Sequence, residues 1–196
     1  DWHFSKLTRF LNQQFGNIFY NPIVYHLAPM YYRTMQDKRR DWFILRVAPM
    51  DENGFFNFGP QNSKTSVNIE MADRVIVEVN RNMPVCLGGA EEGVHISRVN
   101  YIVEAPDNQK LMDVPEIKAS DEDKKIAQYV IEHIQDGSCL QLGIGGMPNS
   151  VGKLIAESDL RDLGGHSEMF CEAFMDMIES GRMNGSKKSF DRYKVA

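Results

Sequence analysis

The sequence predicts an α/β protein built on open parallel sheets and arranged as two blocks of similar kind. Residues 41–48 (DWFILRVA) and 74–80 (RVIVEVN) are short apolar runs on either side of residues 62–72, a stretch able to form a helix. Strands covered on both faces of a parallel sheet read as such near-continuous runs, so this is a βαβ unit. After residues 105–118, which hold two prolines and few apolar side chains, the pattern restarts as helix, strand, glycine-rich loop and helix. That restart repeats the alternation of strand and helix that defines the class.

Taken in order, residues 1–40 are aromatic-rich and weakly periodic, broken by Asn21-Pro22 and Ala28-Pro29, and read as helices and loops. Pro49 ends the first strand, and residues 99–104 (VNYIVE) supply a third. Ser120 with Asp123 makes a capping-box pattern, Ile126, Val130 and Ile134 form the expected apolar face, and Gly137 stops the helix. Residues 138–142 (SCLQL) are a strand. The loop Gly143-Ile144-Gly145-Gly146-Met147 leads to Pro148, taken as the first residue of a helix carrying Val151, Leu154 and Ile155. An extended segment, 163–168, precedes a last helix, ended by Gly181, whose Phe170, Phe174, Met177 and Ile178 are read as core packing.

At 196 residues and 42% hydrophobic the chain buries a sizeable core. Its formal net charge of -5 argues against nucleic-acid binding, which needs a basic face to displace counterions. Lys38-Arg39-Arg40 and Lys187-Lys188 read as solvated surface or linker, with a phosphate-bearing ligand as the alternative. Cys86, Cys139 and Cys171 lie far apart without a CxxC pair, so neither a disulfide framework nor a zinc module is encoded, and a reducing, cytoplasmic setting fits. No apolar run approaches the ~20 residues of a membrane span, and no membrane partner is expected. The start at Asp1 without an initiator Met, and the stop at Lys194-Val195-Ala196 in what reads as a strand onset, lead us to expect a piece of a longer protein.

Two signals carry chemistry. LGIGGMP, after a strand and before a helix, resembles a phosphate loop, but a dinucleotide fingerprint from Gly143 needs glycine where Pro148 stands. A Walker loop from Gly146 meets Val151-Gly152-Lys153-Leu154 one place late and without the hydroxyl. What remains is a strand-to-helix turn whose backbone N–H groups stabilise negative charge, a phosphate or an oxyanion; a simple tight turn is the alternative. His166-Ser167-Glu168 begins like a zinc deaminase motif but lacks the downstream P-C-x-x-C, and two residues make no metal site. Ligands of parallel sheets bind at the carboxyl ends of strands, where both signals are expected to lie side by side. A glutamate beside an oxyanion-stabilising loop can attack a carbonyl and form an acyl-enzyme anhydride.

LQLGIGGMPNSVGKLIAESDLRDLGGHSEMF, followed by DMIESGRMNGSKKSFDRYKV, resembles the acetyl-CoA hydrolase/transferase family, in its 4-hydroxybutyrate and butyryl-CoA:acetate CoA-transferase branch. RVAPMDENGFFNFGPQNS, VIVEVNRNMPVCLGG and VHISRVNYIVE are similar to the later part of that family's N-terminal domain. The likeness runs from about residue 41 to the end, and residues 1–40 carry little of it. It implies two similar open parallel-sheet domains of CoA-transferase type, both incomplete: residues 1–110 the later part of the first, and 111–196 the start of the second.

The resemblance further implies that Glu168, in the family's LGxH(S/T)EM motif, is the catalytic nucleophile. Gln141, Gly143, Ile144, Gly145, Gly146, Met147 and Pro148 would line the acyl and CoA site and supply an oxyanion N–H. The expected reaction moves CoA from butyryl-CoA or 4-hydroxybutyryl-CoA to acetate by a ping-pong route, as in fermentative short-chain fatty acid metabolism. No cofactor or metal is expected, since the CoA thioester is itself a substrate. The expected partners are an acyl-CoA, a short-chain carboxylate and further copies of the chain, as a dimer or higher. The alternatives are an acyl-CoA hydrolase using the same glutamate and a non-catalytic CoA-binding module. Glu52-Asn53-Gly54 copies the motif that carries the nucleophile in related two-subunit CoA-transferases; here Asn-Gly reads as a turn.

Overall fold

The computed structural model describes residues 4–34, 40–89, 91–107, 109–112 and 118–195. Lys38, Arg39 and residues 113–117 of the expected linker lie outside these. The described residues of 1–80 and 94–106 form one compact unit, and those of 81–93 and 107–196 another.

The first unit begins with helices, as expected. Helix α1 (Lys6–Phe15) is closed at both ends, by the Ser5 side chain accepting the Thr8 N–H and by Gly16 in the left-handed region; α2 (Ala28–Thr34) follows. Then come β1 (Arg40–Val47), β2 (Phe55–Asn57), α3 (Thr65–Met71), β3 (Ala72–Val79), β4 (Gly93–His95) and β5 (Tyr101–Glu104). Strand β3 lies between β1 and β5 and runs parallel to both, so the expected βαβ unit forms. The register sets Arg46 opposite Glu78, where the guanidinium donates to the carboxylate at 2.9 Å.

Period-two alternation gives this sheet one buried face. Leu45, Val47, Val75, Val77 and Val79 pack with Phe56, Phe58 and Ile69. Trp42, Ile44 and Tyr101 are exposed, with the Trp42 and Tyr101 rings stacked at 6.0 Å. The described residues therefore cover one face of strands whose sequence is apolar on two. Glu52-Asn53-Gly54 is a turn: the Asp51 carboxylate accepts the N–H groups of Asn53 and Phe55, and Gly54 has φ 81°.

The second unit contains α4 (Asp121–Ile131), β6 (Cys139–Leu140), α5 (Gly146–Glu157), β7 (Gly164–Gly165) and α6 (Glu172–Glu179). The Ser120/Asp123 capping box forms in full. The buried face of α4 differs from expectation. Ala127 is fully buried, and Ile131 and Ile134 pack on the core beside it, whereas Ile126 and Val130 are 48% and 37% exposed. A small residue at 127 lets α4 approach its neighbour closely, and the helix turns to use it.

Helix α5 starts at Gly146, so Pro148 is its third residue, still in the first turn where a missing N–H costs nothing. Val151 and Ile155 are buried as expected, with Leu163, Phe174 and Met177. Phe170 lies outside α6 and, like Ile178, is exposed; it stacks on Phe174 at 5.5 Å. Gly152 sets the spacing of α5 and α6, because a Cβ there would stand 2.3 Å from Ala173 Cβ. Lys194 and Val195 lie in no strand, contrary to the expected strand onset; Val195 packs against the core. Lys194 instead pairs with Glu92, whose carboxylate accepts the Gly88 N–H, tying residues 81–93 into this unit.

Candidate functional site

The site is built by two short parallel strands. β6 pairs with β7, Cys139 opposite Gly164 and Leu140 opposite Gly165. Gly164 N–H donates to Ser138 O and His166 N–H to Leu140 O, both at 2.9 Å. The carboxyl ends of the two strands are therefore neighbours, which the sequence argument required. From one the loop 141–145 runs into α5; from the other come His166, Ser167 and Glu168.

Gly145 is the residue before α5, with φ 140° and ψ 176°, a conformation that excludes side chains bearing a Cβ. It has no side chain with which to cap the positive end of α5. Gln141, Gly143 and Ile144 are exposed, and Gly145, Met147 and Pro148 are half-buried. Gly146 is buried: a Cβ there would meet Asp123 and the backbone before α4 at 2.8 to 3.1 Å. This glycine makes room for α4, and Met147 packs toward the core.

Glu168 is exposed and, among the described residues, has no hydrogen-bond or ion-pair partner. Its carboxylate is free to meet a ligand. His166 is exposed too, its ring edge-on to Phe190 at 6.1 Å. Ser167 was missed as a site residue: its hydroxyl lies 3.0 Å from Leu142 O and 2.9 Å from Met169 O. It ties the start of the glycine-rich loop to the glutamate-bearing segment. The contact spans 25 positions, and nothing in the local sequence signals it.

A cavity of about 530 Å³ opens at this edge, lined by Cys139, Leu140, Gln141, His166, Lys188 and Phe190 among others. Lys188 was read as solvated surface, and the structure buries it instead. A second cavity of about 600 Å³ lies between α5 and α6, and Glu168 lines neither of the two. Among the described residues no group of three or more His, Cys, Asp or Glu is placed to hold a metal ion, and no helix is long and apolar enough to cross a membrane. None of the three cysteines is joined in a disulfide.

Fold and site together define a parallel α/β protein whose candidate ligand edge is the carboxyl ends of β6 and β7. The chain belongs to the acetyl-CoA hydrolase/transferase family: the model of that family's N-terminal domain matches residues 3–116. The match takes in residues 3–40 as well, correcting the expectation that they carry little of the likeness. The chain is 50% identical over 194 residues to a butyryl-CoA:acetate CoA-transferase from Anaerostipes caccae, covering 98% of this chain and 43% of that one. It is 34% identical to the solved 4-hydroxybutyrate CoA-transferase from Porphyromonas gingivalis, with a TM-score of 0.76 over 90% of this chain and 44% of that one. A more distant relative is an acetyl-CoA hydrolase from Yarrowia lipolytica, 26% identical over 189 residues, covering 79% of this chain and 36% of that one. The chain thus spans less than half the length of these relatives.

Proposed function

We propose that the protein carrying this chain is an acyl-CoA:carboxylate CoA-transferase in which Glu168 is the nucleophile. The observation that carries the proposal is the pairing of β6 with β7, at whose carboxyl ends stand the loop leading through Gly145 into α5 and a glutamate that has no partner among the described residues. A Glu168 oxygen attacks the thioester carbonyl carbon, and the oxygen that becomes negative is held by loop N–H groups near Ile144 and Gly145. The C–S bond breaks, CoA leaves as thiolate, and an acyl-glutamyl anhydride remains. The thiolate then attacks the Glu168 carbonyl carbon, releasing the first carboxylate and leaving a glutamyl-CoA thioester. The acceptor carboxylate repeats these steps in reverse order and restores Glu168.

Butyryl-CoA and acetate are the proposed pair, supported by the name of the half-identical relative, with 4-hydroxybutyryl-CoA as the nearest variant donor. The two units are proposed to belong to successive α/β domains, divided near residue 110, of a cytoplasmic protein acting as a dimer or larger assembly. A hydrolase is the second reading, supported by the acetyl-CoA hydrolase relative. It differs only in that water resolves the anhydride, so the distinction lies in water exclusion. Measuring butyryl-CoA consumption with and without acetate separates them. Acetate-dependent consumption with formation of acetyl-CoA is expected, and consumption indifferent to acetate would overturn the transferase.

A further inference from the structure

Lys188 is a buried cation that the reaction above leaves unused. It is 6% exposed. Its stem lies over β7, since a Cβ on Gly164 would stand 2.7 Å from Lys188 Cγ and 3.2 Å from Cδ. Its ammonium donates to two main-chain carbonyls, Gly165 O at 3.0 Å and Lys194 O at 2.8 Å. Among the described residues no carboxylate pairs with it. An ammonium taken out of water without a counter-ion is costly, and an apolar side chain of similar length would fill the same space without that cost.

What the ammonium adds is direction. Gly164 and Gly165 have no side chains through which the end of β7 can be fixed, and Gly165 stands three residues before Glu168. Lys188 itself is held firmly. Leu163 bridges Met183 in parallel and its carbonyl accepts the N–H groups of Asn184 and Gly185. The Asp162 carboxylate accepts the Asn184 side chain, and Lys188 O accepts Arg192 Nε. The segment is thus tied to Asp162 and Leu163 at one end and, through the Lys188 ammonium, to Gly165 of β7 at the other.

We propose that Lys188 is a positioning residue for Glu168: through the Gly165 carbonyl its ammonium fixes the strand end from which the His166-Ser167-Glu168 segment departs. This rests on the reading of Glu168 as nucleophile.

The test compares the wild type, Lys188→Met, Lys188→Arg and Glu168→Ala in the full-length protein carrying this chain. It reads kcat and KM for butyryl-CoA, and hydrogen exchange in peptides covering 163–170 and α5. Lys188→Met is expected to lower kcat by about tenfold or more with KM within about threefold, as misplacement of a reacting group does. It should raise exchange in 163–170 and leave α5 unchanged. Lys188→Arg keeps the charge but cannot set one nitrogen on both carbonyls, so it should shift both readouts in the same sense. If Lys188→Met does not fold, Lys188→Arg decides alone. Wild-type exchange and kcat in the folded variants, or a rise in KM at unchanged kcat, would overturn the proposal while an inactive Glu168→Ala left the nucleophile standing. Full turnover in Glu168→Ala would overturn both.

Discussion

Glu168 and Ser167 are adjacent, yet they are expected to fail differently when changed. Glu168 has no partner among the described residues, so Glu168→Ala should abolish turnover while leaving the thermal midpoint where it was. Glu168→Asp, whose carboxylate retreats by a methylene, should lose on the order of 100-fold in kcat. Ser167 touches no substrate in the proposed reaction. Its hydroxyl joins the Leu142 and Met169 carbonyls, so Ser167→Ala should lower kcat by about tenfold and free both loops to faster hydrogen exchange. Glu168 was legible in the sequence as a candidate, through its expected place beside the glycine-rich loop and through the family resemblance. Ser167 and Lys188 were not, because the contacts that tie them to the site, to Leu142 O and Gly165 O, span 25 and 23 positions and are made to backbone carbonyls, which no residue pattern encodes. Lys188 beside Lys187 has the look of solvated charge, and only the folded chain puts Gly165 O beneath it.

At the scale of elements, the strand, loop and helix order around both signals was readable from turn chemistry and periodicity, and the Ser120 cap from its spacing alone. The rotation of α4 was not. Four-residue recurrence marks Ile126, Val130 and Ile134, but Ala127 carries too little hydrophobic signal to show that close packing prefers its side. The same close packing makes α5 and α6 sensitive at Gly152. Gly152→Val should destabilise the protein by about 1–3 kcal/mol, read from urea or thermal denaturation, because the added carbons meet Ala173. Phe174→Ala, which empties the centre of the same core, should cost about 3–5 kcal/mol. Gly145→Ala is a different case. Its backbone sits where a Cβ is strained, so the loop must shift, and kcat should fall more than stability does.

Across the whole molecule, two parallel α/β units were predicted and are present, and the family match extends the likeness to residue 3. The near-continuous apolar runs of β1 and β3 predicted burial on both faces of the sheet, whereas the described residues cover one and leave Trp42 and Ile44 of β1 exposed. Sequence registers that a strand is apolar on two sides; it does not register which covering layer the chain itself supplies. The chemistry proposed for the second unit reduces to one covalent claim. Treating the full-length protein with butyryl-CoA, reducing with borohydride and mapping peptides by mass tests it directly. The account predicts that Glu168 is converted to the corresponding alcohol in a butyryl-CoA-dependent manner, and an unmodified Glu168 in a protein that turns over would contradict it.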